Sequence, residues 1–530
     1  MVMIADGFSI SLQILEAYYT ISEAFYGLPI FVKILISTPG WERAFIIPFK
    51  DLTIHKLEKI CGPFLCIQST KSRAALRDTL SCALLMLKEG TVRYGYYLDR
   101  PGAIRFPDGH VCFLRGSEIL GSCNRPLLLS EPLRDMQLAG SGAQGSLSQL
   151  PSLLLSASLQ VLLVLSYVIL TSIRSLLIEE GLPLQAVLYI VGKQGLGKTT
   201  LAERIAAIYT KNGRPCGIVQ AGSTLAASND MITSLRDQPV IIDDVCNSAA
   251  PEVKREGLKL AAHLIRQGTG VTPIIKRSGK DTVQLSAEAG LIFTAEFPLE
   301  NLSDLTRCII VPLQEQPFIP DQLTPALIGD VIRFYSSWFC DHADEEIKHF
   351  RSAPVVRAAV KMDKRISNNY RFLQAAFGSF LRFLSDSVIS CDENQLLMRL
   401  NDAMEYALWY QQGMIESLLE DVPVGNLAFC LYDGFENEAF GLAKKISKLE
   451  KHEGILWKGD LCLRAEPLVK FVRTQRGFHN WSPNKITRTL KDYGALVLQE
   501  ENAATVHLTK GTPRVYRIRL DILKESAERF

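Results

Sequence analysis

The segment that most constrains this chain runs from Ala186 to Tyr209. Six apolar residues, Ala186–Val191, lead without a break into Gly192-Lys-Gln-Gly-Leu-Gly-Lys-Thr-Thr200, and the helical pattern LAERIAAIY follows. A continuous apolar run entering a glycine-rich turn predicts a buried strand of a parallel sheet. Strand, turn and helix together are the context in which a GxxxxGK[ST] spacing is more than a chance match. The residue types fit phosphate chemistry. Gly192, Gly195 and Gly197 let backbone N–H groups close around a phosphate, and the helix N-terminus favours its charge. Lys198 can reach the outer phosphates, and Thr199 can offer a hydroxyl to Mg²⁺, with Thr200 beside it in the nucleotide-binding set.

Partner motifs follow downstream. Val240-Ile-Ile-Asp-Asp244 is an apolar strand ending in two carboxylates. At the C-terminal edge of a parallel sheet, Asp243 would hold the metal, directly or through water, and Asp244 would orient or deprotonate the attacking water. Gly290–Thr294 is a third strand whose final threonine either positions that water or serves a turn. Arg307 precedes a further apolar strand, Cys308–Leu313, where it is either an arginine finger for a neighbouring subunit or a surface ion-pair partner. The guanine-reading NKxD pattern is absent, since Asn484-Lys485 continues as Ile486-Thr487. ATP is therefore the expected nucleotide, with Mg²⁺. A small-molecule kinase is disfavoured because this core sits inside a long multidomain chain.

The order GKQGLGKTT, VIIDDV, a basic helix over Val253–Gln267, TPIIKRSGK, LIFTAE and LTRCIIVPL resembles the P-loop ATPases of phages, plasmids and integrated elements that are related to superfamily 3 replicative helicases. The resemblance spans roughly residues 90–315. It implies an α/β P-loop NTPase core of AAA+ or superfamily 3 type, a ring, expected to be a homo-hexamer, and ATP sites between subunits. It also implies a basic loop or hairpin that grips single-stranded DNA, placed here on Lys276, Arg277 and Lys280. The plainer alternative for those three is a solvated basic turn, and no aromatic residue interleaves them to stack bases.

The C-terminal stretch has a different composition. From Lys444 to Phe530 there are 18 lysines and arginines against 10 acidic residues, so this stretch carries about +8 and the rest of the chain about −6. The whole-chain net charge of +2 hides that division. Expected here are a strand over Ile455–Leu463, a helix over Glu466–Arg476 closed by Gly477, and a second helix over Asn484–Tyr493. Ser482 would be the N-cap of the second helix, with Pro483 at N1 and Gly494 at its end. Strands at Ala495–Leu498 and Val515–Leu520 would flank a wing. This pattern reads as a winged helix. Lys485, Arg488 and Lys491 would meet double-stranded DNA from the second helix, and Lys510 and Arg514 from the wing. The alternative is a winged helix used for protein contacts.

The remaining regions complete the domain plan. Residues 1–135 read as an α+β domain with strands at Ile30–Ile36, Phe45–Pro48, Val92–Leu98 and His110–Leu114, and a helix over Ser72–Lys88. This region offers no readable chemistry. Residues 136–150, rich in Gly, Ser and Gln, read as a linker. Residues 151–315 are the ATPase core, 316–440 a helical domain, and 441–530 the winged helix. The 12 cysteines form no CxxC pair and sit mostly in apolar runs, as reduced core residues of a cytoplasmic protein do. The N-terminus lacks the pattern of a signal peptide.

One number pulls the other way. Mean hydropathy is +0.11. Much of it comes from Met136–Ile173, which holds no charged residue, and residues 155–173 are long enough to cross a bilayer. Ser156, Gln160, Tyr167, Thr171 and Arg174 fall on one helical stripe, however, as on a buried helix with a polar edge. A core helix is the preferred reading and a membrane span the alternative. The leading functional expectation is a helicase-like replication protein of a mobile element. A nucleotide-switched regulator of transcription or defence without unwinding, and a membrane-anchored ATPase, are the competitors.

Overall fold

The computed structural model describes residues 2–5, 8–21, 28–38, 41–61, 70–182, 184–220, 223–245, 251–278, 281–354, 364–387, 389–420, 424–475, 478, 481–492, 494–498, 505–509 and 511–527. The chain divides into two compact units, Met1–Gln411 and Gln412–Phe530.

The first unit is organised by a five-stranded parallel sheet in the order Ile218–Gln220, Pro239–Asp243, Gly290–Ala295, Val187–Gly192, Cys308–Leu313. Its three central strands are apolar along nearly their whole length, as strands covered on both faces must be. The 155–173 segment covers one face. It is broken into helices Leu150–Ser156, Leu159–Ser172 and Arg174–Glu179. The break is fixed by Ser158, which exchanges hydrogen bonds with the backbone of Phe318. Every residue from Val161 to Ser172 is buried. Of the expected polar edge, Tyr167, Thr171 and Arg174 are buried, Tyr167 donating to the Ala186 carbonyl, while Ser156 is exposed and Gln160 half-buried. Among the described residues, no helix is long and apolar enough to cross a membrane.

The N-terminal region carries its own sheet, with Trp41–Pro48, Phe31–Thr38, Phe8–Tyr19, Arg93–Leu98 and Leu127–Leu129 in that order. The sequence pattern anticipated most of these strands and the helix Thr70–Lys88, but not the long strand Phe8–Tyr19. A second small sheet, Gly102–Arg105, Val111–Arg115 and Glu118–Leu120, joins this region to the core. Arg115, fully buried, donates to Ser336 Oγ at 3.0 Å and to the carbonyls of Asp237 and Ser172. Asp237 in turn accepts from the N–H of Ala103 at 2.7 Å and of Ser175 at 2.6 Å. Burial pushes its carboxyl upward, opposed by the charges of Arg236 and Arg115.

The expected linker is not one. Met136–Leu138 pairs with Tyr209–Lys211, Gln144–Gln149 is a 3₁₀ turn, and Leu147 and Leu150 are fully buried. The glycines serve close approach rather than flexibility. A Cβ on Gly140 (φ +102°) would lie 2.2 Å from Asp330 Oδ1, and Gly142 N–H donates to that same oxygen at 2.9 Å.

The helical region holds Pro325–Ser352, Lys364–Asp386 and Glu393–Glu420. Thr324 caps the first by accepting from Leu327 N–H. The division of the chain falls at Gln411, well before the expected boundary at 440. The reason is a shared core: Leu427 and Leu431 of helix Val424–Glu436 pack with Leu468, Val472, Ile486 and Leu490 of the C-terminal stretch.

In the second unit the expected strand Ile455–Leu463 is a hairpin, Gly454–Trp457 and Asp460–Arg464, turned by Lys458 and Gly459 at positive φ. Helices Ala465–Thr474 and Pro483–Asp492 follow. Strand Arg514–Arg519 pairs with Asp460–Arg464 and with Val506–His507. The expected strand Ala495–Leu498 is reduced to a single bridge, Leu496 to Ile518. Gly477, Tyr493 and Lys510 lie outside the described residues.

Candidate functional site

The glycine-rich loop leaves the C-terminal end of strand Val187–Gly192 and turns into helix Lys198–Ala206. Gly195 and Gly197 adopt φ of +81° and +75°, which a side chain would strain. Gly192 is required for another reason: a Cβ there would sit 2.6 Å from the Leu313 carbonyl oxygen. Lys198 is buried, and its ammonium donates to the carbonyls of Gly192 and Lys193, 2.9 Å each. The lysine is thus held inside the curve of the loop. Thr200 is exposed in the first turn of the helix.

The acidic strand lies two places away in the sheet, with Gly290–Ala295 between them. This order brings three distant segments to one oxygen. Asp243 Oδ1 accepts from Thr199 Oγ1 at 2.8 Å and from Thr294 Oγ1 at 2.6 Å. Thr294 also accepts from the Asp244 N–H at 2.9 Å. Asp244 is held at φ +59°, a left-handed conformation that Asp adopts more readily than most side chains. A hydroxyl and a carboxylate this close form a donor set suited to Mg²⁺, which prefers few protein ligands and completes its shell with water and phosphate oxygens. Gln220, at the end of strand Ile218–Gln220, adds a longer bond to Asp243 Oδ2 at 3.4 Å. The sequence reading missed Gln220; its signal was a polar residue closing the short apolar run Gly217-Ile-Val-Gln220.

Arg307 lies at the opposite edge of the sheet. Its carbonyl accepts from Val187 N–H, five residues before Gly192, roughly 17 Å along the strand. It therefore cannot reach the loop of its own chain. The side chain is buried and donates to the carbonyl and hydroxyl of Ser303, while Nε has no hydrogen-bond partner. Burial and the nearby charge of Arg365 pull its pKa down. The segment is clamped from the helical region. Gln411 Nε2 donates to the carbonyls of Leu305 (2.9 Å) and Cys308 (3.1 Å), and Tyr370 donates to Gln411 Oε1. Neither clamp residue was anticipated.

The interval between the acidic strand and Gly290 contains a two-stranded hairpin, Ile274–Ser278 with Asp281–Leu285. Lys276 and Arg277 lie on its first strand; Lys280 lies outside the described residues.

In the second unit, helix Pro483–Asp492 buries Ile486 and Leu490 and exposes Arg488 and Lys491. Arg488 is 85% exposed, with Asp492 at 3.9 Å. Lys485 is exposed beside them and also makes a ring contact. Its ammonium lies 4.4 Å over the Trp481 ring, and burial lowers its pKa. Arg514 donates to His507 across the pair of strands closed by the Thr509–Thr512 turn.

No protein-family model matches the chain. No curated protein matches it either. Among solved structures, the chain is similar to one described as SCCmec type IV Cch, an active helicase, with a TM-score of 0.57 and 14% identity, covering 97% of this chain and 94% of that one. Two structures of JCV helicase align over 46% and 45% of this chain, with TM-scores of 0.20 and 0.21 at 13% and 14% identity, too low to argue a shared fold. The chain thus has, along nearly its full length, the fold of a helicase structure.

Proposed function

We propose that this chain is an ATP-driven DNA motor of helicase type that serves replication of a mobile genetic element. The observation that carries the reading is the meeting of Thr199, Asp243 and Thr294 on one carboxylate oxygen beside the GKT loop. It gains support from the chain-long likeness to a structure whose description is that of an active helicase.

In this reading the loop N–H groups bind the phosphates of ATP, and Lys198 moves from the loop carbonyls to the outer phosphates. Thr199 and Asp243 hold Mg²⁺, which when bound offsets the phosphate charge. Thr294 fixes the orientation of Asp243 and, through the Asp244 N–H, of the neighbouring carboxylate. Asp244 accepts the proton of the attacking water. Arg307 serves the site of an adjacent copy, so the working form is a ring, with six copies as the proposed number. The hairpin carrying Lys276, Arg277 and Lys280 tracks single-stranded DNA. Arg488, Lys491, Lys510 and Arg514 meet duplex phosphates, joined by Lys485 once it leaves Trp481.

The test is the ATPase rate with and without single- and double-stranded DNA, with particle mass measured in the presence of ATP. DNA stimulation together with a ring-sized particle supports the motor; a monomer indifferent to DNA rules it out. Strand displacement on a forked substrate then separates a motor from an ATP-switched regulator.

A further inference from the structure

The N-terminal region, which carries no motif, holds a cavity of about 220 Å³ lined by Tyr94, Tyr96, Phe106, Asp108, Asn124 and Arg125, among others. Its volume falls below the roughly 300–1,000 Å³ of pockets that take a whole small molecule, so it suits a single planar group. The floor is aromatic. Tyr96 and Phe106 are buried with ring centroids 5.1 Å apart, and Tyr94 meets Tyr96 edge-on at 6.1 Å. The Arg125 guanidinium lies 3.8 Å over the Tyr94 ring, while the residue itself stays exposed. A guanidinium supported in this way presents a flat cationic surface on which a base stacks.

The polar groups face the edge of such a ring. Asp108 accepts from the His110 N–H at 3.2 Å, with the imidazole 3.3 Å away, so its carboxylate is anchored as an acceptor at the rim. Asn124 brings both a donor and an acceptor. A carboxylate acceptor suits an exocyclic amino group, which adenine, guanine and cytosine carry; thymine lacks one and offers only its ring N3–H. The same carboxylate disfavours a phosphate near His110 and leaves the Arg125 side for it.

We propose that this cavity takes one unstacked, amino-bearing nucleobase, with the adjoining phosphate against Arg125. The source of the base, a passing single strand of DNA, rests on the motor reading above; a free nucleotide has the same chemistry.

The test uses the full-length chain and two probes: a single-stranded oligonucleotide with one 2-aminopurine, and free 2-aminopurine nucleoside monophosphate. Stacking quenches the fluorescence of the oligonucleotide. Tyr94→Ala and Arg125→Lys each weaken its binding about tenfold and abolish the quench, while basal ATP hydrolysis is unchanged. Arg125→Lys retains the charge and loses the plane, so normal binding and quenching by that variant would overturn the stacking role. Variants that match the parent on both probes would overturn the site. Tighter binding of the free nucleotide than of the oligonucleotide would overturn the single strand as the source. If the parent ATPase ignores DNA, the motor reading falls, and the two variants still decide whether the cavity binds a base.

Discussion

At one edge of the parallel sheet, Asp243 is met by two hydroxyls and an amide. At the other, Arg307 is buried with its Nε lacking a hydrogen-bond partner and a second arginine nearby. The first arrangement is complete within one chain. The second is compensated in part: Arg307 donates to Ser303 and feels the Asp304 carboxylate, while burial and the charge of Arg365 weigh against it. The segment that carries this arginine is clamped by Gln411 from another helix, and under the proposed function the guanidinium meets an anion from outside the chain. In the proposed reading the two edges are halves of one site, brought together when copies associate.

The largest expected effect comes from the less satisfied edge. Arg307→Ala should lower the ATP turnover number by about 10³-fold or more, the range for loss of an arginine finger, with ATP affinity little changed. A variant that hydrolyses normally would break the comparison. Thr294→Val acts on the other edge. It removes the hydroxyl that orients Asp243 and leaves the Asp244 N–H without its partner. Turnover should fall about 10²-fold, comparable to losing one orienting hydrogen bond in other active sites, and Thr294→Ser should restore most of it. Equal defects in the valine and serine variants would show that shape, not the hydroxyl, matters there. Gln411→Ala leaves two buried carbonyls without a side-chain donor, costing about 1–3 kcal/mol on thermal unfolding. Its turnover defect should follow Arg307 and leave ATP binding alone. The smallest effect is at Gln220, whose bond to Asp243 is long. Gln220→Ala should cost no more than about 1 kcal/mol of transition-state stabilisation, read from kcat/KM.

The two edges also differ in how well the sequence displays them. The loop and the acidic strand are local signals, each readable within a few residues because a phosphate needs consecutive N–H groups and a strand end needs a run of apolar residues before its carboxylates. Thr294 shares that logic. Gln411 does not, since its partners lie more than a hundred residues away and a glutamine mid-helix has no local signature. Residues 136–150 misled for a related reason. Glycine marks both flexible chain and tight approach, and only the position of Asp330 on a distant helix decides that Gly140 is the second kind. Lys485 is exposed on the same helix as Arg488 and Lys491, but the contact of its ammonium with the indole of Trp481 has no signature in the helical spacing. The long strand Phe8–Tyr19 escaped because its alternation is interrupted by a bulge between Ile14 and Glu16.

The claim that the two edges complete one site is tested most directly by mixing two inactive variants. Lys198→Ala chains keep Arg307 but lack the loop ammonium; Arg307→Ala chains keep the loop but lack the guanidinium. Each alone should be nearly inactive. Mixed in equal amounts with ATP and DNA, they should recover a measurable part of the parental ATPase rate, because some interfaces then pair an intact loop with an intact arginine. A mixture no more active than either variant, under conditions where the chains are shown to co-assemble, would contradict the account.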